Sequence, residues 1–372
     1  GKSGLLIYYL LILGELMLSA VYLFFPQKKA KKVYLIAVFV LLTLVMAFRS
    51  QQVGVDATAY CSYYMRIGIS DQFMNIVNAA PLYSIYNRLL YYLFPYEQAI
   101  LVFNAIIVNS CFGYFIYKRS EHPVFSSVCY LLLYTYMNTF NGTRQYIACG
   151  LFLVGIIFLQ EKKTVRAVLW MIAALGVHQM VFVMLPIVLF VLMQRWTKGK
   201  SLFCGAGIIF GGSLILSRFY QQILLLVARM LPAYRKYVEG LIPFFNEEAQ
   251  GRNIYLTIFL SIFVVLGYFK FYEDIKTGRF RDERVQSGEF YIMLMATTVS
   301  ISLGLLFASN TGMARIREFY SPYFLTFLPY LLYRMVKQYK VACFAVGSVL
   351  MVVMTIQLLD NYAGVVPYVF WR

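Results

Sequence analysis

A bundle of membrane-spanning α-helices is the fold class this sequence predicts, and two observations carry it. The composition is 61% hydrophobic and only 13% charged, with a mean hydropathy of +0.69 over 372 residues; a soluble domain holds about a quarter charged residues. The apolar residues also come in continuous runs near the roughly 17–25 residues a bilayer requires. A closed β-barrel is the other structure lipid permits, but it gives alternation rather than runs. The expectation is an all-α polytopic integral membrane helix bundle of about 12 spans (roughly 10–14), a single transmembrane domain over 1–372 with outward re-entrant or interfacial helices.

The elements follow in order. Span one is Gly4–Phe25, closed by the basic turn Gln27–Lys32, which lacks a small-residue cleavage site and so reads as a retained span rather than a signal peptide. Span two, Val33–Phe48, stops at Arg49. A polar, tyrosine-rich stretch, Arg49–Ala80, follows without a plain linker's turn residues. Pro81–Phe94 is a short tyrosine-rich helix that carries Arg88 and reads as re-entrant or interfacial. Spans three to five are Glu97–Tyr117, Val124–Met137 and Tyr146–Gln160, with Asn138–Gln145 between the last two. Spans six and seven, Val165–Val177 and Met180–Met193, meet at His178-Gln179. Span eight is Leu202–Leu216, and a second long loop covers Arg218–Asn253. Spans nine to twelve are Ile254–Phe271, Phe290–Ala308, Phe319–Met335 and Val341–Leu359, with the polar insertion Asn310–Glu318 before the eleventh.

Alternation of the loops sets the orientation. If Lys28–Lys32 is cytoplasmic, six segments on that side hold 20 of the 33 basic residues, as the positive-inside rule requires. That accounts for the net charge of +17 without a nucleic-acid partner. The 13 remaining basic residues fall outside, and 11 of them are arginine, against 7 of 20 inside. The positive-inside signal does not distinguish the two cations. A guanidinium fork, however, matches phosphate oxygens in a way an ammonium does not. The outward arginines therefore read as a phosphate or diphosphate site, with interfacial snorkelling as the simpler alternative.

Four outward stretches hold the candidate site residues: Arg49, Asp56 and Tyr60; Asn138, Asn141, Arg144 and Gln145; His178 and Gln179; and Arg315, Arg317 and Glu318. Ionisable groups near membrane depth are functional candidates by default. Arg315 and Arg317 sit two apart, so only one points along a given helix face. Asp56 follows Gly54 and either orients a sugar hydroxyl or pairs with an arginine to fix the loop. His178 either takes part in chemistry or bonds a neighbouring carbonyl. The tyrosines around Tyr60 and Tyr83 suit sugar stacking, and they suit the interfacial aromatic belt as well. No DxD, Walker A, HExxH or GxSxG motif occurs, and the six cysteines form no disulfide or zinc framework, so no metal and no cofactor is called for.

The order FRS…VGVDATAY after span two, then N…NGTRQ…A at the head of a later span, then a span ending in His178, resembles the EpsG-like family of Wzy-type polysaccharide polymerases. The similarity covers Val33–Pro186, with ARIRE near the end adding weaker support. One departure is Ala79-Ala80, where many members carry an acidic residue just before the segment that starts here at Pro81. The resemblance implies an enzyme of bacterial capsule or exopolysaccharide synthesis in the cytoplasmic membrane, its active site facing outward. It implies polyprenyl-diphosphate-linked oligosaccharides as donor and acceptor, and contacts with the flippase and chain-length regulator of the same pathway. On that reading Arg49, Arg144 and Arg315 clamp the diphosphate with Arg317 in reserve, and Arg88, Tyr60, Asn141 and Gln145 line the substrate. Asp56 or His178 orients or deprotonates the acceptor, and loops 49–96 and 218–253 cover the glycan.

Rival readings are a lipid-linked oligosaccharide flippase, a glycan ligase and a membrane acyltransferase. A flippase places charges in mid-span, where this chain has only Glu15, and transporter folds tend to repeat themselves, which this sequence does not.

Overall fold

The computed structural model describes residues 2–197, 199–230, 235, 253–278, 286–307 and 311–371. Among them the regular elements are helices, and the single β-bridge joins Arg49 and Phe370. The protein is a polytopic helical membrane protein. Among the described residues nine helices are long and apolar enough to cross a bilayer, and shorter apolar helices accompany them.

In chain order the main helices are α1 (Leu6–Leu18), α2 (Gln27–Ala47), α3 (Ala57–Ile69), α4 (Pro81–Leu93), α5 (Gln98–Arg119), α6 (Pro123–Leu132), α7 (Thr143–Gln160), α8 (Thr164–Val177), α9 (Leu185–Thr197), α10 (Leu202–Met230), α11 (Asn253–Lys276), α12 (Gln286–Leu306), α13 (Thr311–Glu318), α14 (Phe324–Met335) and α15 (Tyr339–Leu359). They divide into two compact units. The first comprises Gly1–Phe182 and Leu332–Arg372, and the second Val183–Leu331.

Three of the twelve expected spans fall short of a full crossing. The fourth breaks at Tyr134, which takes the left-handed conformation at φ 64° and separates α6 from a single turn at Thr135–Asn138. The sixth is the 14-residue α8. The eleventh is α14, 12 residues with Pro329 inside. The expected loop Arg49–Ala80 needs a correction, since α3 occupies 13 residues of it. Its buried residues Ala57, Cys61, Tyr64 and Gly68 recur at helical spacing, and the first three pack with Leu90, Ala99 and Leu101. Of the expected loop Arg218–Asn253, the first part continues α10 past a kink at Phe219, and most of the remainder lies outside the described residues.

The local reasons for these elements are ordinary ones. Pro81 and Pro123 open α4 and α6 at the position where a missing backbone N–H costs nothing. In the first unit α7 is the most enclosed span, with 83% of its apolar window buried, because α5 and α8 both pack on it. In the second unit α12 holds the corresponding place, 78% buried, with α10, α11 and α9 around it.

Candidate functional site

The chain after α2 is tied into a knot of backbone contacts. Arg49 is 1% exposed and its guanidinium points inward. It donates from Nη1 to the Met46 carbonyl at 2.8 Å, from Nε to Val53 at 3.1 Å and from Nη2 to Phe140 at 3.3 Å, and it lies over the Phe140 ring at 4.6 Å. Burial pulls it down to about 10, so it is still a cation at neutral pH. Gln98, at the first turn of α5, donates to the carbonyls of Ala47 at 2.6 Å and Arg49 at 3.0 Å. The C-terminal tail closes the other side: Ser50 N–H donates to Val369, Gly54 N–H to Gly364 and Trp371 N–H to Phe48.

The turn before α7 completes the knot. Asn141 accepts the Val55 N–H on Oδ1 at 2.6 Å and donates from Nδ2 to the Ala363 carbonyl. The Asp56 carboxylate accepts the N–H of Gly142, the residue that caps α7, at 2.8 Å. Gly54 sits at φ +97°, and a Cβ there would meet Asn141 Oδ1 at 3.0 Å and the Phe140 carbonyl at 3.1 Å. Only glycine fits both the backbone angle and the close approach.

This knot fixes where α7 starts, and therefore where Arg144 is held. The backbone N–H of Arg144 donates to Tyr60 Oη at 3.3 Å, and its guanidinium stands over the Tyr83 ring at 5.9 Å. Nη1 of Arg144 is buried and has no hydrogen-bond partner. A buried cationic nitrogen left unmet costs free energy unless an anion meets it. Around it Tyr60 and Tyr83 pack edge to face, and Tyr83 and Tyr86 lie 5.9 Å apart. Asn104 joins these rings, donating to Tyr83 Oη at 3.1 Å and accepting from Tyr86 Oη at 3.3 Å. Ser84 Oγ and Asn87 Oδ1, on the same helix as Tyr83, are also buried without partners. Burial, and after it the neighbouring Tyr60, hold Tyr83 above its ordinary value, so it stays a protonated donor.

The other expected site residues divide. Gln145 is buried at the start of α7 beside Arg144. His178 ends α8 in an extended conformation, two residues after Gly176, where α8 comes against Leu82, the neighbour of Tyr83. Arg88 takes another part. Nη1 donates to the carbonyls of Ile67 and Gly68, each at 2.7 Å, and its ring neighbours are Phe73 and Tyr92. It closes the C-terminus of α3, as cations at helix ends do, and its Nε donates to Tyr92 Oη at 3.2 Å. Arg49 is likewise committed to carbonyls. In both residues the structure places guanidinium nitrogens against backbone carbonyls. In the second unit Arg315 is exposed on α13, while Arg317 turns inward past Gly304 and donates to Thr257 Oγ1 at 3.3 Å. That is the division between faces that a spacing of two requires.

Sequence reasoning passed over Gln98, Asn104 and the aromatic tail. The first two had a signal: amides in an otherwise apolar span need partners inside the protein. The tail offered none beyond its aromatic residues.

The model of the EpsG family matches residues 32–370, nearly the whole chain. The chain belongs to the EpsG family. No curated protein and no solved structure matches it. The match starts within α2 and runs into the C-terminal tail, so both sides of the knot around Arg49 and Asp56 fall inside the EpsG region.

Proposed function

We propose that this EpsG-family protein joins polyprenyl-diphosphate-linked oligosaccharide repeat units into polysaccharide at the outer face of the bacterial cytoplasmic membrane. The observation that carries the reading is the buried, unpartnered Nη1 of Arg144 among Tyr60, Tyr83 and Asn104. A diphosphate leaving group brings charge that a preorganised guanidinium stabilises as it develops. The part-exposed ring of Tyr60 suits the adjacent sugar. Family membership supports polymerisation as the reaction class.

In the proposed step a hydroxyl of one lipid-linked repeat unit attacks the anomeric carbon of the other. A new glycosidic C–O bond forms and the anomeric C–O bond to diphosphate breaks, with the electron pair leaving on polyprenyl diphosphate. The hydroxyl proton passes to a base, for which we propose His178. Arg144 takes the leaving-group charge. Asp56 acts as a positioning residue through Gly142. The pathway's flippase, which delivers the substrate, and its chain-length regulator are the protein partners this reaction calls for.

The test is reconstitution of the full-length protein in liposomes with a polyprenyl-diphosphate-linked repeat unit. The expected result is a ladder of longer glycans with release of polyprenyl diphosphate. Transfer of unpolymerised glycolipid across the bilayer without a ladder makes the protein a flippase and ends the proposal.

A further inference from the structure

At the far end of α2 from the Arg49 knot, the first unit contains a cleft of about 790 Å³ between α1, α6 and α15. The 21 residues of α2 put these two ends roughly 30 Å apart at about 1.5 Å per residue, so the cleft is separate from Arg144. Along most of its length the walls are apolar: Ile12 and Leu16 on α1, Val128 and Leu132 on α6, Phe344 and Met351 on α15. The outer faces of α1 and α15 expose Leu13, Met17 and Val352, the surface expected against lipid tails.

The charged groups collect at one end. Lys31 lies near the start of α2, Glu121 and His122 just before α6, and Lys340 in the first turn of α15. Lys31 gives one N–H to the Ser120 carbonyl, which leaves two of its three donors. Lys340 is exposed. Two polar atoms there, His122 Nε2 and Tyr22 Oη, are buried without a hydrogen-bond partner. Burial holds His122 below its ordinary value against the pull of Glu121. Two lysines against one carboxylate leave one net positive charge at the polar end, the complement of a phosphodiester headgroup. A free phosphate ion has no use for the apolar walls.

We propose that this cleft binds one anionic phospholipid, its phosphate between Lys31 and Lys340 and an acyl chain along Val128, Leu132, Phe344 and Met351.

The test is native mass spectrometry of the full-length protein in neutral detergent, with phosphatidylglycerol, phosphatidylcholine of the same chains, or inorganic phosphate added. The expected result is one retained phosphatidylglycerol per chain, with phosphatidylcholine and phosphate released. Lys340→Gln, at an exposed position, weakens phosphatidylglycerol retention about tenfold, the size of one charge-assisted contact. Ser348→Phe, also at an exposed position, fills the cleft and removes retention of phosphatidylglycerol. Equal retention of the two lipids, unchanged retention in Lys340→Gln or Ser348→Phe, or the same adduct from phosphate alone overturns the proposal.

Discussion

The Asp56 carboxylate accepts the Gly142 N–H at 2.8 Å across 86 residues of sequence. It thereby joins the loop after α2 to the first turn of α7, two residues before Arg144. A carboxylate at a helix N-terminus also faces the positive end of the helix dipole.

That contact separates two roles for Asp56. If the residue positions α7, Asp56→Asn keeps an acceptor and most of the activity, while Asp56→Ala loses about 1–2 kcal/mol of stability together with activity. Thermal unfolding in detergent and glycan chain length measure the two. Complete loss of polymer in Asp56→Asn at wild-type stability makes Asp56 a proton acceptor instead.

Gly54→Ala brings a Cβ to 3.0 Å from Asn141 Oδ1 and 3.1 Å from the Phe140 carbonyl, closer than ordinary van der Waals contact, at a backbone angle that L-residues rarely adopt. Strain of about 1–3 kcal/mol is expected. A fall in the unfolding temperature measures it, and Gly142, where an added Cβ would meet only Gln145 of its own helix at 3.9 Å, tolerates the same change better.

Arg49→Met strands the carbonyls of Met46, Val53 and Phe140, so a stability loss of at least about 2–5 kcal/mol is expected. Arg88→Ala frays the end of α3 at a smaller cost, about 1 kcal/mol. For both, the fall in activity should track the fall in folded protein, as judged by recovery from size-exclusion chromatography.

Much of this architecture was legible in the sequence, because span length and loop charge follow from the bilayer itself. The stretch Phe48–Tyr60 was legible as an organising element too, since an arginine at a span end followed by Gly54 and Asp56 is too polar for lipid. Which arginine serves which purpose was not. Arg49, Arg88 and Arg144 all stand near helix boundaries, and only tertiary contacts show that two are spent on carbonyls while Nη1 of the third has no partner. The break at Tyr134 carries no proline or glycine to announce it. The buried positions of α3, 57, 61, 64 and 68, have helical spacing, but the stretch is too polar to read as a span, and which of its residues are buried depends on tertiary packing.

The most direct test of the central claim is glycan chain length in a deletion strain complemented with Arg144→Lys at matched expression. Lysine keeps the charge and loses the fork, and a lost charge-assisted bidentate contact slows the step by about tenfold to a hundredfold. The account predicts single, lipid-linked repeats accumulating at the outer face while the protein stays folded. Full-length polymer from that variant would contradict it.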